Sequence, residues 1–232
     1  SRTTVIAVGD FDVDVMEAKI VATFSDWENP AADGPEPELG TVQPRGLEVG
    51  SYTEPGVQPS VQLTWINPAD TRPDTLATQR EDLIEGLGLQ VLNRRLQSMA
   101  RGETPPFINA SGSSSDLFGS AEVSGLTAVY QDGNWAGALA AIEQEQRRIV
   151  EFGVTQEELD REITEIRTAL EERVAGAATR RTPGLANSLA ASVNSDEVFT
   201  SPATDLEIFE SVVAGLTLDE VNTALRSTFT GQ

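Results

Sequence analysis

Between Asp74 and Ala100, apolar residues recur at intervals of three and four: Leu76, Leu83, Ile84, Leu87, Gly88, Leu92, Leu96 and Met99. That spacing draws one apolar stripe along a long helix, and such a stripe has to be covered by a second layer of structure. Asp74 is placed to cap the helix start. The covering layer is legible on both sides. Upstream, in Ser60 to Ile66, Val61, Leu63 and Trp65 alternate with Gln62 and Thr64, the period of a strand with one buried and one polar face. Downstream, Phe107 to Ser115 and Gly119 to Tyr130 read as two more strands. Ser111 to Ser115 reads as a strand with a small polar outer face rather than a flexible linker, because aromatic and β-branched residues resume on both sides.

The remaining punctuation fits the same layers. Trp135, Leu139, Ile142, Ile149 and Val150 mark a helix from Asn134 that stops at Gly153. Thr155 with Glu158 forms a capping box, with Val154 placed to staple to Leu159; Thr217 with Glu220, and Leu216 with Val221, repeat the device. Leu159, Ile163, Ile166, Leu170 and Val174 then share a face expected in the core, with Glu157 and Arg161 paired on the other. Short helices are expected around Gly184 to Val193 and Asp205 to Val213. At the other end, the β-branched run Thr3 to Val8 predicts a buried strand, and Asp12 caps a helix carrying Val15, Ala18, Ile20 and Phe24. Asn29 to Pro44 is proline-rich without an apolar period, hence a linker, and Gly46 to Thr53 predicts a strand. The order β-α, linker, β-β-α-β-β and then four or five helices is an α+β pattern: an antiparallel-rich sheet with helices packed on one face.

Composition removes several function classes. Asp+Glu number 37 against Lys+Arg 16, a formal charge of −21, which disfavours nucleic acid and anionic membrane surfaces. The excess serves solubility first, although it would also attract basic peptides. Histidine and cysteine are both absent, so there is no disulfide, no thiolate metal site and no imidazole ligand or base. A Ser-His-Asp hydrolase is thereby excluded despite Ser113 to Ser115. No apolar run approaches the about 18 residues of a membrane span. The carboxylates Glu157, Glu158, Asp160, Glu162 and Glu165 spread around a helix end, where opposing the helix dipole explains them better than acid–base chemistry does. Val8-Gly9-Asp10 lacks the repeated glycines of a dinucleotide loop, and no calcium loop is present. The chain opens on Ser1-Arg2 and goes almost at once into an apolar run, the look of an excised fragment.

Four phrases in order resemble the insulinase/pitrilysin family of zinc metallopeptidases. They are Val5 to Asp12 with a helix ending at Phe24, then Leu92-Asn93-Arg94-Arg95-Leu96 followed by Pro105-Pro106-Phe107. Next come Phe152 to Leu159, and Leu216 to Val221. The family's zinc site is an inverted H-x-x-E-H helix with a later glutamate. A chain without histidine cannot hold it, so the resemblance is to the second, non-catalytic domain of the first half. It implies a metallopeptidase-like two-layer domain. Residues 1–28 would be a β-α unit resembling the end of the preceding catalytic domain, 29–44 a linker, and 45–232 the non-catalytic domain. Its role would be to pack on the zinc domain and help enclose a peptide substrate. Its partners would be that zinc domain and the second half of the same polypeptide.

The resemblance also makes Arg101 and Phe107 the substrate-facing candidates, with Phe107 standing where a tyrosine is expected and lacking its hydroxyl. No catalytic or metal residue is assigned to this chain, which is expected to bind no zinc and cleave no peptide; zinc belongs to the parent. A bacterial periplasm or cell envelope is the expected location. The competing readings are a partner or scaffold subunit related to inactive family members, and a stand-alone binding module.

Overall fold

The computed structural model describes residues 3–28, 34–35, 38–43, 45–131 and 133–231. The alternating segment is strand β1, Ser60–Pro68, and its burial alternates along its whole length. It pairs antiparallel with β3, Ala121–Val129, which pairs antiparallel with β2, Asn109–Asp116, giving the order β1-β3-β2. The register aligns Val61 and Ala110 with Ala128, Leu63 and Gly112 with Leu126, and Trp65 and Ser114 with Ser124. Because side chains alternate, these residues share one face, while Gln62, Thr64, Ser111, Ser113 and Thr127 share the other. The first face is the floor of the core; the serines and threonines of the second meet water.

Helix α2, Leu76–Ala100, lies across that floor and contacts β2. Ile84, Leu87, Val91, Leu92 and Leu96 are buried along it, as the stripe requires, whereas Leu76 is 70% exposed. Two glycines let the layers close. A Cβ on Gly112 would lie 2.9 Å from Leu126 Cδ2 and 3.2 Å from Leu92 Cδ2. A Cβ on Gly88 would lie 2.5 Å from Leu225 Cγ, on helix α7, Leu218–Thr228. Helix α3, Trp135–Phe152, covers β1 and β3 and ends at Gly153, whose φ of 74° is the left-handed stop the sequence predicts. Helix α4, Gln156–Ala175, packs on α2 and on α6, Pro202–Val213; α5, Thr182–Asn194, has no buried residue. Both capping boxes form as expected. Val154 is 3% exposed, Leu159 1%, Leu170 9% and Val221 0%, while Ile163 and Ile166 are partly buried against the same core.

Three expectations need correction. Thr3–Val8 and Gly46–Thr53 are irregular, not strands, and Val5, Leu47 and Val49 are 43%, 95% and 90% exposed. Strand propensity is local, but a strand exists only where a neighbour supplies N–H and C=O groups, and neither segment reaches one. The sheet therefore has three strands and not five. The cap of α2 is Thr75, boxed with Thr78, rather than Asp74. Asp74 instead accepts from Gln79 Nε2 at 2.8 Å and Val198 N at 2.7 Å. The N-terminal helix α1, Val13–Phe24, does form, with Asp12 accepting from Val15 N at 3.0 Å. Within the linker, 29–33, 36–37 and 44 lie outside the described residues; so do Ser1 and Arg2.

The glycines of α2 provide a matched test. Gly88→Ala should lower stability by roughly 1–3 kcal/mol, because its methyl would drive into the branch of Leu225. Gly86→Ala, with nothing within 4 Å, should raise stability by up to about 1 kcal/mol from helix propensity. Denaturant midpoints of the two variants, moving in opposite directions, check the α2–α7 seam.

Candidate functional site

The phrase Leu92-Asn93-Arg94-Arg95-Leu96 turns out to be a clamp. Leu92 and Leu96 face the core at 0% exposure, so the residues between them emerge on the flank of α2. Asn93 Oδ1 accepts from Gly112 N at 2.7 Å and its Nδ2 donates to Gly112 O at 3.0 Å. Leu117 N donates to Ala121 O at 2.7 Å, which sets the phase of the β2–β3 ladder. Odd residues of β2 then bond β3, and Gly112 turns its N–H and C=O outward. Asn93 thus closes the edge of the sheet at that residue.

The other edge is open. Tyr130 N donates to Pro59 O at 3.1 Å, so the odd residues of β1 bond β3 and those of Gln62, Thr64 and Ile66 point away from the sheet. Among the described residues no group pairs with them. A row of free backbone groups is a template for an added strand.

Arg95 joins three elements. Its Nε and Nη2 donate to the two oxygens of Glu158 at 2.7 Å each. Nη2 also donates to Gly153 O at 3.1 Å, and Nη1 to the buried Glu145 at 3.3 Å. Glu158 further accepts from Thr155 N at 2.8 Å. The Arg95 guanidinium, helped by Thr155 and opposed by burial, pushes the Glu158 carboxyl down to about 2. Arg94 in turn bonds Glu162, itself 3% exposed, and Glu165. The carboxylates at the start of α4 therefore answer two arginines of α2 as well as a helix dipole. Those partners, reached by Glu158, Glu162 and Glu165, are not visible in the sequence.

The two substrate-facing candidates part company. Arg101 is the exposed C-cap of α2. Phe107 is 2% exposed within the hydrophobic core and offers no ring to a ligand. A cleft of about 670 Å3 between α2, α7 and the sheet brings Asp82, Glu85 and Glu122 close. The carboxyls of Asp82 and Glu122 are pushed up, by burial first and then by neighbouring carboxylates. No three side chains among the described residues are placed to hold a metal ion. With histidine and cysteine absent from the chain, zinc does not fit here.

The most conspicuous surface is apolar. Helix α1 buries no residue, and Val13, Val15 and Val21 are 70%, 54% and 56% exposed. Trp27, 64% exposed, stacks edge-on against Phe24 at 4.7 Å between ring centres. No helix is long and apolar enough to cross a membrane.

The chain is thus an α+β layer pair with a closed core and one apolar helix left bare. Residues 1–166 match the family model described as the peptidase M16 inactive domain, and the chain belongs to that family. No curated protein matches it. Among solved structures it is similar to the periplasmic protease PqqL from Escherichia coli, at 19% identity and a TM-score of 0.77 over 94% of this chain and 24% of that one. It is similar to the first half of the same protease at 20% identity and 0.76, covering 94% of this chain and 47% of that one. A predicted insulinase family protease from Yersinia pestis matches at 18% and 0.78, over the same 94% and 47%. The chain thus spans less than half the length of these structures.

The Arg95–Glu158 pair makes a pH prediction. A carboxyl whose folded pKa is depressed stabilises above its unfolded value, near about 4.3, and loses that contribution as pH falls toward about 2. Glu158→Gln should therefore be less stable than the parent at pH 7, with the difference shrinking between pH about 4.5 and about 2. Urea midpoints across that range, with a constant difference as the contrary result, check it.

Proposed function

We propose that this chain is the non-catalytic domain of a zinc-dependent peptidase, seated against the zinc-bearing domain and forming part of the wall around a peptide substrate. The observation that carries the reading is α1. A helix with no buried residue and with Val13, Val15, Val21 and Trp27 in water is an interface without its other side. The unpaired Thr3–Val8 run and the open edge of β1 add backbone groups able to join a neighbouring sheet. The similarity to the first half of a protease supports a neighbour of this kind, and the proposed ones are a zinc domain ahead of this one and a second half behind it.

Zinc and its base then belong to that other domain. Arg101, exposed at the end of α2, is the substrate-facing residue that stays available. The likeness to a protease described as periplasmic makes the bacterial periplasm or cell envelope the proposed setting. A second reading, a partner or scaffold subunit, is favoured by the likeness to a chain of Complex III2 from Candida albicans, at 15% identity and a TM-score of 0.56.

Amide exchange of the chain, alone and with the zinc domain of its parent, tests the proposal. Residues 5–27 should exchange fast alone and become protected in the complex, and Val15→Asp with Val21→Asp should weaken the complex by about tenfold or more. A complex that leaves residues 5–27 unprotected would overturn the interface. Chelator-sensitive peptide cleavage by the intact parent separates the peptidase from the scaffold reading.

A further inference from the structure

In a chain where carboxylates outnumber cations by 37 to 16, nearly every arginine in the interior network finds a carboxylate. Among the described residues Arg45 and Arg101 stand outside that pairing, and so does one corner of the fold. After α4 the chain makes a short 3-10 turn, Ala177–Thr179, and then places Arg180 and Arg181 directly before α5. Neither arginine forms an ion pair among the described residues. Among the described residues the one side-chain bond of the two is Arg180 Nε to Ala177 O, at 3.3 Å. Both are exposed, and both line a cleft of about 540 Å3 between this corner and the segment leading into α6.

The cleft is not merely cationic. Leu185, Val198 and Phe199 supply apolar wall, and Val198 and Phe199 remain 59% and 38% exposed. Arg173 also lines it but is committed to Asp205 at 3.2 Å. The opposing charges facing the cleft are that Asp205, already bonded by Thr200 as well, and Glu197. Ser188 and Ser192 provide hydroxyls on the α5 side.

We propose that this cleft is a peptide-binding site for a carboxylate flanked by an apolar residue, as in an acidic-hydrophobic peptide segment. The planar forks of Arg180 and Arg181 match a carboxylate. Phe199, Val198 and Leu185 match the adjoining apolar side chain, which a bare inorganic anion would leave wet. The field of the whole molecule narrows the choice further. A formal charge of −21 repels a polyanion such as nucleic acid, but costs little for a ligand with one or two carboxylates held at a local cationic spot. The site is separate from the interface proposed for α1 and does not depend on it. No sequence motif pointed to it, because Arg180 and Arg181 meet Val198 and Phe199 only through the turn between α5 and α6.

A rhodamine-labelled hexapeptide with two glutamates flanking a phenylalanine, followed by fluorescence anisotropy, tests the proposal on the whole chain. The glutamate peptide should bind about tenfold tighter than its glutamine counterpart, with the advantage fading as salt rises. The double variant R180S/R181S, whose side chains hold no other element in place, should lose that advantage while keeping its melting temperature. Phe199→Ala should weaken both peptides. Glu197→Gln should tighten the glutamate peptide, a gain that loss of structure would not produce. Equal affinity for the two peptides, absence of binding, or an unchanged double variant would overturn the proposal. Competition by inorganic phosphate as strong as by the unlabelled peptide would overturn the assignment to peptide carboxylates.

Discussion

Everything in this domain hangs on α2 being buried from two sides at once. One side meets the sheet through Leu92 and the bare backbone of Gly112; the other meets α7 through Gly88 and Leu225. Both contacts are closer than a Cβ allows, so the layers are held at a spacing that only glycine permits. Burying Leu87, Val91, Leu92 and Leu96 this completely removes most of the apolar stripe from water, and that burial is the main stabilising term. The trailing helices follow from it. Val221 and Leu225 of α7, and Leu159 of α4, join the same cluster.

Polar groups then decide how the layers are keyed. Asn93 reads the N–H and C=O of a single residue of β2, and Arg95 reads the end of α3 and the start of α4 together. Hydrogen bonds of this kind add less than the apolar burial, but a half-satisfied buried group would cost more than either. That is why the flank of α2 reads as one phrase in the sequence. The same economy shows what is left outside. The β2 edge is stopped at Gly112, whereas the β1 edge, the Thr3–Val8 run and α1 carry unpaired backbone or unburied valines on one chain. Groups that a closed domain would cover are here offered outward. That contrast, together with membership of the M16 inactive-domain family, is what supports the proposal that the chain packs against further protein.

How much of this was legible in the sequence can be argued residue by residue. Periodicity and caps located β1, α2, α3, α4 and α7, because the forces that make them act within a few residues: alternation, the 3.6-residue stripe, the Thr155–Glu158 and Thr217–Glu220 boxes, the stop at Gly153. The absence of histidine and cysteine, read directly from composition, removed the usual zinc ligands from consideration. The four phrases in order identified the family. Thr3–Val8 and Gly46–Thr53 were misread for the complementary reason. Their β-branched and apolar residues satisfy the local preference, but a ladder is made by a second strand that composition does not specify.

Tertiary structure alone decided which polar residues touch. Glu158 is a capping-box residue in the sequence and also the partner of an arginine 63 positions earlier. Phe107 could be placed on a surface by analogy, yet its ring is 2% exposed in the core cluster. The meeting of Arg180 and Arg181 with Val198 and Phe199 around one cleft lies in no local pattern, since the two pairs stand at opposite ends of α5 in the sequence. The sequence by itself determined the class of fold and the presence of the main helices, both of which depend on residue identity and near-neighbour spacing. The open β1 edge, the bare α1 and the arginine cleft were settled only in three dimensions, because exposure is a property of what fails to arrive from elsewhere in the chain.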